Sequence, residues 1–319
     1  MKALVINCSP GYNLGTHKLR NWLLSQGHNV DYQTGDPGFM AFGYDLVVLS
    51  VVFSWHAKIA REIALRVKGN SEVWCGGPGM FALSGWWKKE TGLEIIKGID
   101  DRFEYQAGNY KMTFASRGCP VGCYFCIVPK LEGKEFTLNW DFEPAPFLCD
   151  NNLSALPIEF QEHIIDKYKK STIQLKDANS GFEPHTFDIE TYRRWKPIMR
   201  GPWRFAFDNL EEENEVRRMM QILKDEPERK KRVYVLIGNE LIDKCLYRIK
   251  RVIEWGGEPH VQPMIALNAL EKKPMVRFDW TEVQLLDMAR WANRWLWRSV
   301  PINEYKPRKN DIKPFGFLS

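Results

Sequence analysis

The chain has 319 residues, 44% hydrophobic and 13% aromatic, enough to bury the core of one large domain or two ordinary ones. A formal net charge of +5 permits an anionic partner without demanding one, and no apolar run approaches the ~18 residues of a transmembrane helix, so no membrane partner is expected. The seven cysteines are odd in number and three of them fall within eight residues, which excludes a disulfide framework as their main use.

The start, Met1-Lys2-Ala3-Leu4-Val5-Ile6-Asn7, lacks the long apolar region of a signal peptide, so a cytoplasmic protein is expected. Residues 2–7 instead read as a first strand ended by Ser9-Pro10-Gly11. A helical pattern runs through Leu19, Trp22 and Leu23 and stops at Gly27. Residues 45–53 read as a strand buried on both faces, followed by a helix at 57–67, a strand at 72–75 and the turn Gly76-Gly77-Pro78-Gly79. This alternation predicts a doubly wound, flavodoxin-like α/β domain over residues 1–107. Ligands of such sheets sit beyond the carboxyl ends of the strands, here Cys8, Ser50 to Ser54 and the loop after Cys75. The polar segment 100–110 reads as a linker.

A second series occupies residues 108–275. Strands are predicted at 111–116, 145–149, 172–176, 203–207, 232–237 and 259–265, with helices at 157–169, 188–196, 211–224 and 240–255. Six such units predict a six-stranded partial (β/α)6 barrel whose site lies at the carboxyl ends of its strands. Residues 276–319 form a C-terminal helical extension, Trp-rich over 280–298 and then polar. Val283, Leu286, Trp291 and Trp295 fall near helical spacing and predict a face docked on the barrel. Trp280, Trp291, Trp295 and Trp297 with Arg290, Arg294 and Arg298 equally fit a surface that stacks on nucleic-acid bases and meets phosphates. The basic tail residues Lys306, Arg308, Lys309 and Lys313 fit an acidic partner.

Residues 116–128 read Ser-Arg-Gly-Cys-Pro-Val-Gly-Cys-Tyr-Phe-Cys-Ile-Val, a Cys-x3-Cys-x2-Cys array directly after the first strand of the second series. Thiolates are soft ligands for iron–sulfur clusters and zinc, and Gly118, Pro120 and Gly122 let the backbone wrap tightly around them. Structural zinc wants a fourth ligand, but His163 and His185 are distant and Cys149 ends a different strand. Cys119, Cys123 and Cys126 therefore point to a cluster with one open position; zinc and unliganded thiols are the alternatives.

With Phe125 just before the last cysteine, the array resembles the signature of the radical S-adenosylmethionine (SAM) superfamily. The Arg117-Gly118-Cys119-Pro120 opening and Tyr124-Phe125-Cys126 ending resemble its subgroup with an N-terminal cobalamin-binding domain. The resemblance covers the barrel and, more weakly, the first domain. It implies a 4Fe-4S cluster whose open iron chelates SAM, reductive cleavage to a 5′-deoxyadenosyl radical, and a reducing donor such as flavodoxin or ferredoxin.

It also implies roles at the strand ends. Asp150 and Asn152 stand where relatives contact the SAM amino end, although the usual Gly-Gly-Glu is absent. Val235 to Glu240 resembles the Gly-x-Ile-x-Gly-x-x-Glu region that packs on adenine, with Val235 for the first glycine, which singles out Gly238 and Glu240. Asp177 to Pro184 resembles Asp-Phe-Asn-Gln-Gly-type segments and brings in Asn179; Asp208 follows the fourth strand and Gln262 lies in the sixth. For each of these polar residues the alternative is a cap or turn former, Asp208 being placed to cap the helix at 211. Gly76 and Gly77 resemble the turn that meets the cobalamin nucleotide tail, with Ser50 and Ser54 as hydroxyls, or else form only a tight turn. The Asp-x-His-x-x-Gly motif is missing, and His17 has the wrong neighbours for it. Cys8 and Cys75 stand near the place of a second cluster in methylthiotransferases, or are small buried hydrophobes, as Cys149 and Cys245 are read to be.

Three functions follow. The first is a radical SAM enzyme with cobalamin-dependent methyl transfer to an unactivated carbon. The second is a cobalamin-independent, hydrogen-abstracting enzyme acting on a nucleic acid or nucleoside. The third is a zinc-stabilised nucleic-acid-binding protein without catalysis.

Overall fold

The computed structural model describes residues 1–104, 106, 108–179 and 181–305. Ser180 and the basic tail residues lie outside the described residues.

Four parallel strands form the first sheet: β1 (Lys2–Asn7), β2 (Asn29–Thr34), β3 (Leu46–Ser50) and β4 (Glu72–Gly76), in the order β2-β1-β3-β4. One face, through Ala3, Val5, Leu46 and Val48, packs on Leu19 and Leu23 of α1 (Leu14–Ser25). The other face, through Leu4, Ile6, Val47 and Leu49, packs on α2 (Ala57–Val67). Burial on both faces explains why β1 and β3 are apolar throughout. β2 escapes the apolar pattern because it is an edge strand with Asn29 and Asp31 exposed. The order reverses between β1 and β3, so their carboxyl ends flank a crevice at the switch point. Short helices α3 (Pro78–Phe81), α4 (Ser84–Thr91) and α5 (Asp101–Glu104) follow β4. Within the expected linker at 100–110, residues 101–104 form α5, which packs on α1.

Six further parallel strands come in two triplets. β5 (Met112–Thr113), β8 (Phe147–Leu148) and β9 (Asp177–Ala178) form one; β10 (Trp203–Ala206), β11 (Lys231–Ile237) and β12 (Glu258–Pro263) form the other. An antiparallel pair, β6 (Ser116–Arg117) and β7 (Thr137–Leu138), brackets the cysteine loop. The triplets are joined where Phe182 N donates to Arg204 O at 2.8 Å and the Arg204 guanidinium pairs with Asp177. The third strand pairs at 177–178, just beyond the expected 172–176: Lys176 N and Asp177 N donate to Pro146 O at 2.8 and 3.2 Å, and Asn179 N donates to Leu148 O at 2.8 Å. In β11, Val233, Val235 and Ile237 are buried, while Arg232, Tyr234 and Leu236 take the other face. A short α6 (Val128–Leu131) follows the cysteines, and α7 (Ile158–Lys170), α8 (Ile189–Trp195), α9 (Glu213–Ile222) and α10 (Ile242–Glu254) cover the buried side.

The last helix (Glu282–Asn293) starts at a capping box of Thr281 and Gln284 and buries Leu285, Met288, Ala289 and Ala292 against this core. Its docked face is thus one residue out of step with the expected one. Trp291 is buried, but Val283 at 64%, Leu286 at 44% and Trp295 at 46% are exposed. No described helix is long and apolar enough to cross a membrane.

Candidate metal and cofactor site

The cysteine loop is fixed at its entrance. Gly118 adopts φ +87°, and Glu132 Oε2 accepts its N–H at 3.0 Å. Asn151 Nδ2 donates to the same carboxylate at 2.7 Å and to Gly118 O at 3.2 Å. Cys119 N donates to Gly133 O at 3.3 Å, and Cys126 N to Cys123 O at 3.0 Å. The three thiols of the loop are all partly exposed. Phe125 is half-buried and meets Tyr124 edge-on at 5.1 Å.

Burial pushes the Cys123 thiol up to about 11, helped by Cys126, Asp208, Cys119 and Glu183; burial also raises Cys126. The thiols therefore feel one another and the carboxylates opposite. Among the described residues, no three His, Cys, Asp or Glu stand close enough to hold a single metal ion. Three soft thiolate donors on one half-exposed loop suit an iron–sulfur cluster.

The strand-end residues divide into two groups. Asp150 is fully buried and accepts from Ala115 N at 2.9 Å and from Ser116 N and Oγ, both at 2.6 Å. Burial pushes its carboxyl up to about 6. It ties the end of β8 to the segment that enters the cysteine loop, with no open face for a ligand. Asn152 Oδ1 accepts from Ala155 N at 3.2 Å, a turn-forming role. Glu240 pairs with Arg248 at 3.1 Å, and its carbonyl receives Trp280 Nε1 at 2.7 Å. Gly238 lies under Leu285, so the C-terminal helix covers that strand end.

Asp208, Asn179 and Gln262 are more open. Asp208 Oδ1 accepts from Leu236 N at 3.0 Å, leaving the cap of the next helical turn to Asn209, which receives Glu211 N at 3.0 Å. Burial, then the nearby Glu212, pushes Asp208 up to about 7. Asn179 and Gln262 are exposed, and Asn179 hydrogen-bonds the Cys149 thiol. Glu183 and Glu212 complete an acidic group, both raised mainly by burial, beside a cleft of about 300 Å³. A larger cleft, about 450 Å³, lies on the C-terminal extension between Trp291, Trp297 and Arg298 and includes none of these groups.

At the switch point, Asn13 Nδ2 donates to Asn7 Oδ1 at 3.1 Å and Ser50 Oγ at 2.9 Å, and Ser9 Oγ meets His56 Nδ1 at 3.0 Å. Phe53, 41% exposed, stacks on Trp55 at 4.8 Å to make a flat aromatic shelf. Ser54 is buried. A Cβ on Gly77, at φ +100°, would lie 2.5 Å from Val51 O, so chain packing alone requires that glycine; Gly76 rests on Ile96. Cys8 and Cys75 are buried, and burial pushes Cys8 up to about 12.

Asn151, Glu132, Glu183 and Glu212 escaped the sequence reading as site residues. Asn151, beside Asp150 at a strand end, and Glu183, within the Asp177–Pro184 segment, carried a positional signal there; Glu132 and Glu212 carried none.

No family model matches the chain, and no curated protein matches its sequence. Among solved structures it is similar to the radical S-adenosylmethionine methyltransferase TsrM from Kitasatospora setae, a structure with cobalamin and a 4Fe-4S cluster bound. The TM-score is 0.62 at 12% identity, over 82% of this chain and 74% of that one. At that identity the likeness is one of fold.

Proposed function

We propose that the chain is a radical SAM enzyme, with Cys119, Cys123 and Cys126 holding a 4Fe-4S cluster. The observation that carries this reading is the three-thiol loop, pinned at Gly118 by Glu132 and Asn151, on a fold shared with a radical SAM methyltransferase. When bound, the cluster and SAM supply reductive carbon–sulfur cleavage and a 5′-deoxyadenosyl radical. The chain's own residues orient and shield. Asp208, Glu183 and Glu212 turn carboxyls toward the thiols, and in their ionised forms these suit the sulfonium and ammonium of SAM. Asn179 and Gln262 offer amides on exposed strand ends for SAM or substrate. Because burial raises the Cys123 and Cys126 thiols, loading displaces protons and is more favourable as pH rises. An external reductant such as flavodoxin or ferredoxin completes the system.

Methyl transfer to an unactivated carbon with cobalamin is the favoured reaction. The exposed Phe53–Trp55 stack, with the half-buried Ser50 hydroxyl at the switch point, suits a flat, amide-rimmed corrin. Bound there, cobalamin supplies the methyl carrier. A second reading, hydrogen abstraction without cobalamin, is favoured by Gly77, whose packing on Val51 needs no ligand.

Anaerobic purification tests the reading. About four irons per chain and 5′-deoxyadenosine formed from SAM under reduction are expected, and Cys123→Ala should abolish both. A colourless zinc protein would overturn it. A base-off cobalamin spectrum on added cobalamin selects the methyl-transfer reading over the second.

A further inference from the structure

We propose that the cysteine loop is positioned from the N-terminal half of the chain, through an ion chain in which Lys18 and Glu104 hold Arg117 at the loop's entrance. This rests on reading Cys119, Cys123 and Cys126 as cluster ligands. Lys18, on the second turn of α1, donates to the Glu104 carbonyl and pairs with Glu104 Oε1 at 3.2 Å. That same oxygen receives Arg117 Nε at 3.0 Å and Arg117 NH2 at 2.7 Å. Arg117 NH1 reaches Glu132 Oε1 at 3.3 Å, and its guanidinium lies 3.5 Å over the Phe114 ring. The other Glu132 oxygen holds the Gly118 N–H and Asn151.

Two cations alternate with two anions, and none of the four side chains exceeds 17% exposure. So little water reaches these charges that each depends on its neighbours for compensation. Without Lys18, Arg117 becomes the single cation shared by Glu104 and Glu132. Arg117 is drawn toward Glu104, and Glu132 loses the partner that orients it onto Gly118, the residue before Cys119. Lys18 and Glu104 touch neither cluster nor SAM; they are positioning residues, in the way outer-shell partners orient the ligands of metal sites.

The test uses full-length protein reconstituted anaerobically with iron and sulfide. Lys18→Met and Glu104→Gln are compared with Lys18→Arg and with the exposed-site control Lys244→Met. The first two should lose iron to a ferrous chelator about tenfold faster than wild type and show an altered paramagnetic resonance signal of the reduced cluster. Lys18→Arg and the control should match wild type. Hydrogen exchange of the metal-free proteins gives a second readout: amides 118–126 should exchange faster in the two variants, with β10 and β11 unchanged. Wild-type iron retention and an unchanged signal in both variants overturn the proposal. So does equal loosening of β10 and β11, which is general destabilisation. A wild-type protein that takes up no cubane overturns instead the cluster reading on which the proposal rests.

Discussion

A methyl group on Gly118 would overlap the carbonyl oxygen of Glu135, because φ +87° turns its Cα toward the returning chain. The cysteine loop is therefore closed by a backbone-to-backbone approach that admits no side chain. Gly118→Ala should cost about 1–3 kcal/mol of strain or push the loop open. Bound iron per chain should fall well below wild type while the melting of the metal-free protein shifts only by that strain. Full iron loading of the variant would show that the loop does not need this turn.

Asp208 makes a pH prediction. Its ordinary value is near 4, and burial raises it to about 7 in the native state. Between those values the native protein holds a proton that the unfolded chain has released, so its contribution to stability falls as pH rises through that window. Asp208→Asn keeps an oxygen for Leu236 N and removes the titration. The metal-free variant should gain on the order of 1–2 kcal/mol over wild type at pH 8 and nothing at pH 4. Denaturant midpoints that differ by a constant across this range would contradict the assignment.

Arg248 is fully buried and donates to Phe207 O at 2.6 Å and Leu236 O at 3.0 Å while pairing with Glu240. Arg248→Met leaves two carbonyls and a carboxylate short of partners. A loss of about 3–5 kcal/mol is expected in chemical denaturation. Adding Glu240→Gln should restore part of it, since the unpaired charge goes; no restoration would mean the ion pair carries little of the effect.

Gly77→Ala should loosen the first sheet alone. The added Cβ meets Val51 O at the end of β3, so amides of β3 and β4 should exchange faster while those of 118–126 keep their wild-type protection. Unchanged exchange in β3 and β4 would mean that this turn can relax freely.

Much of the architecture was legible. β1 and β3 announced themselves because strands buried on both faces are apolar throughout, and four of the six later strands fall within two residues of their expected positions, while β5 stops at Thr113, three short of its expected end, and Ser116 joins the antiparallel β6. β2 was not legible: an edge strand exposing Asn29 and Asp31 has no periodic apolar signal. The final helix was readable as a helix, but its docked face was not. Near-helical spacing fits Val283 and Leu286 as well as Leu285 and Met288, and the neighbouring core decides between them. At the site, the residue types near strand ends were visible, but not whether each side chain faces ligand or chain. Asp150 spends its oxygens on Ala115 and Ser116, and Glu240 spends one on Arg248.

What the amino-acid order determined by itself is the three-thiol array and its turn chemistry. Three thiols at that spacing with Gly118 and Gly122 between and before them are a local property, fixed by covalent connectivity and backbone reach. What only the tertiary structure decided is which distant charges steady that loop. Glu104, held by Lys18, converges with Glu132 and Asn151 on residues 117–118 from separate elements, and no local pattern encodes an encounter between helices and loops up to a hundred or so residues apart.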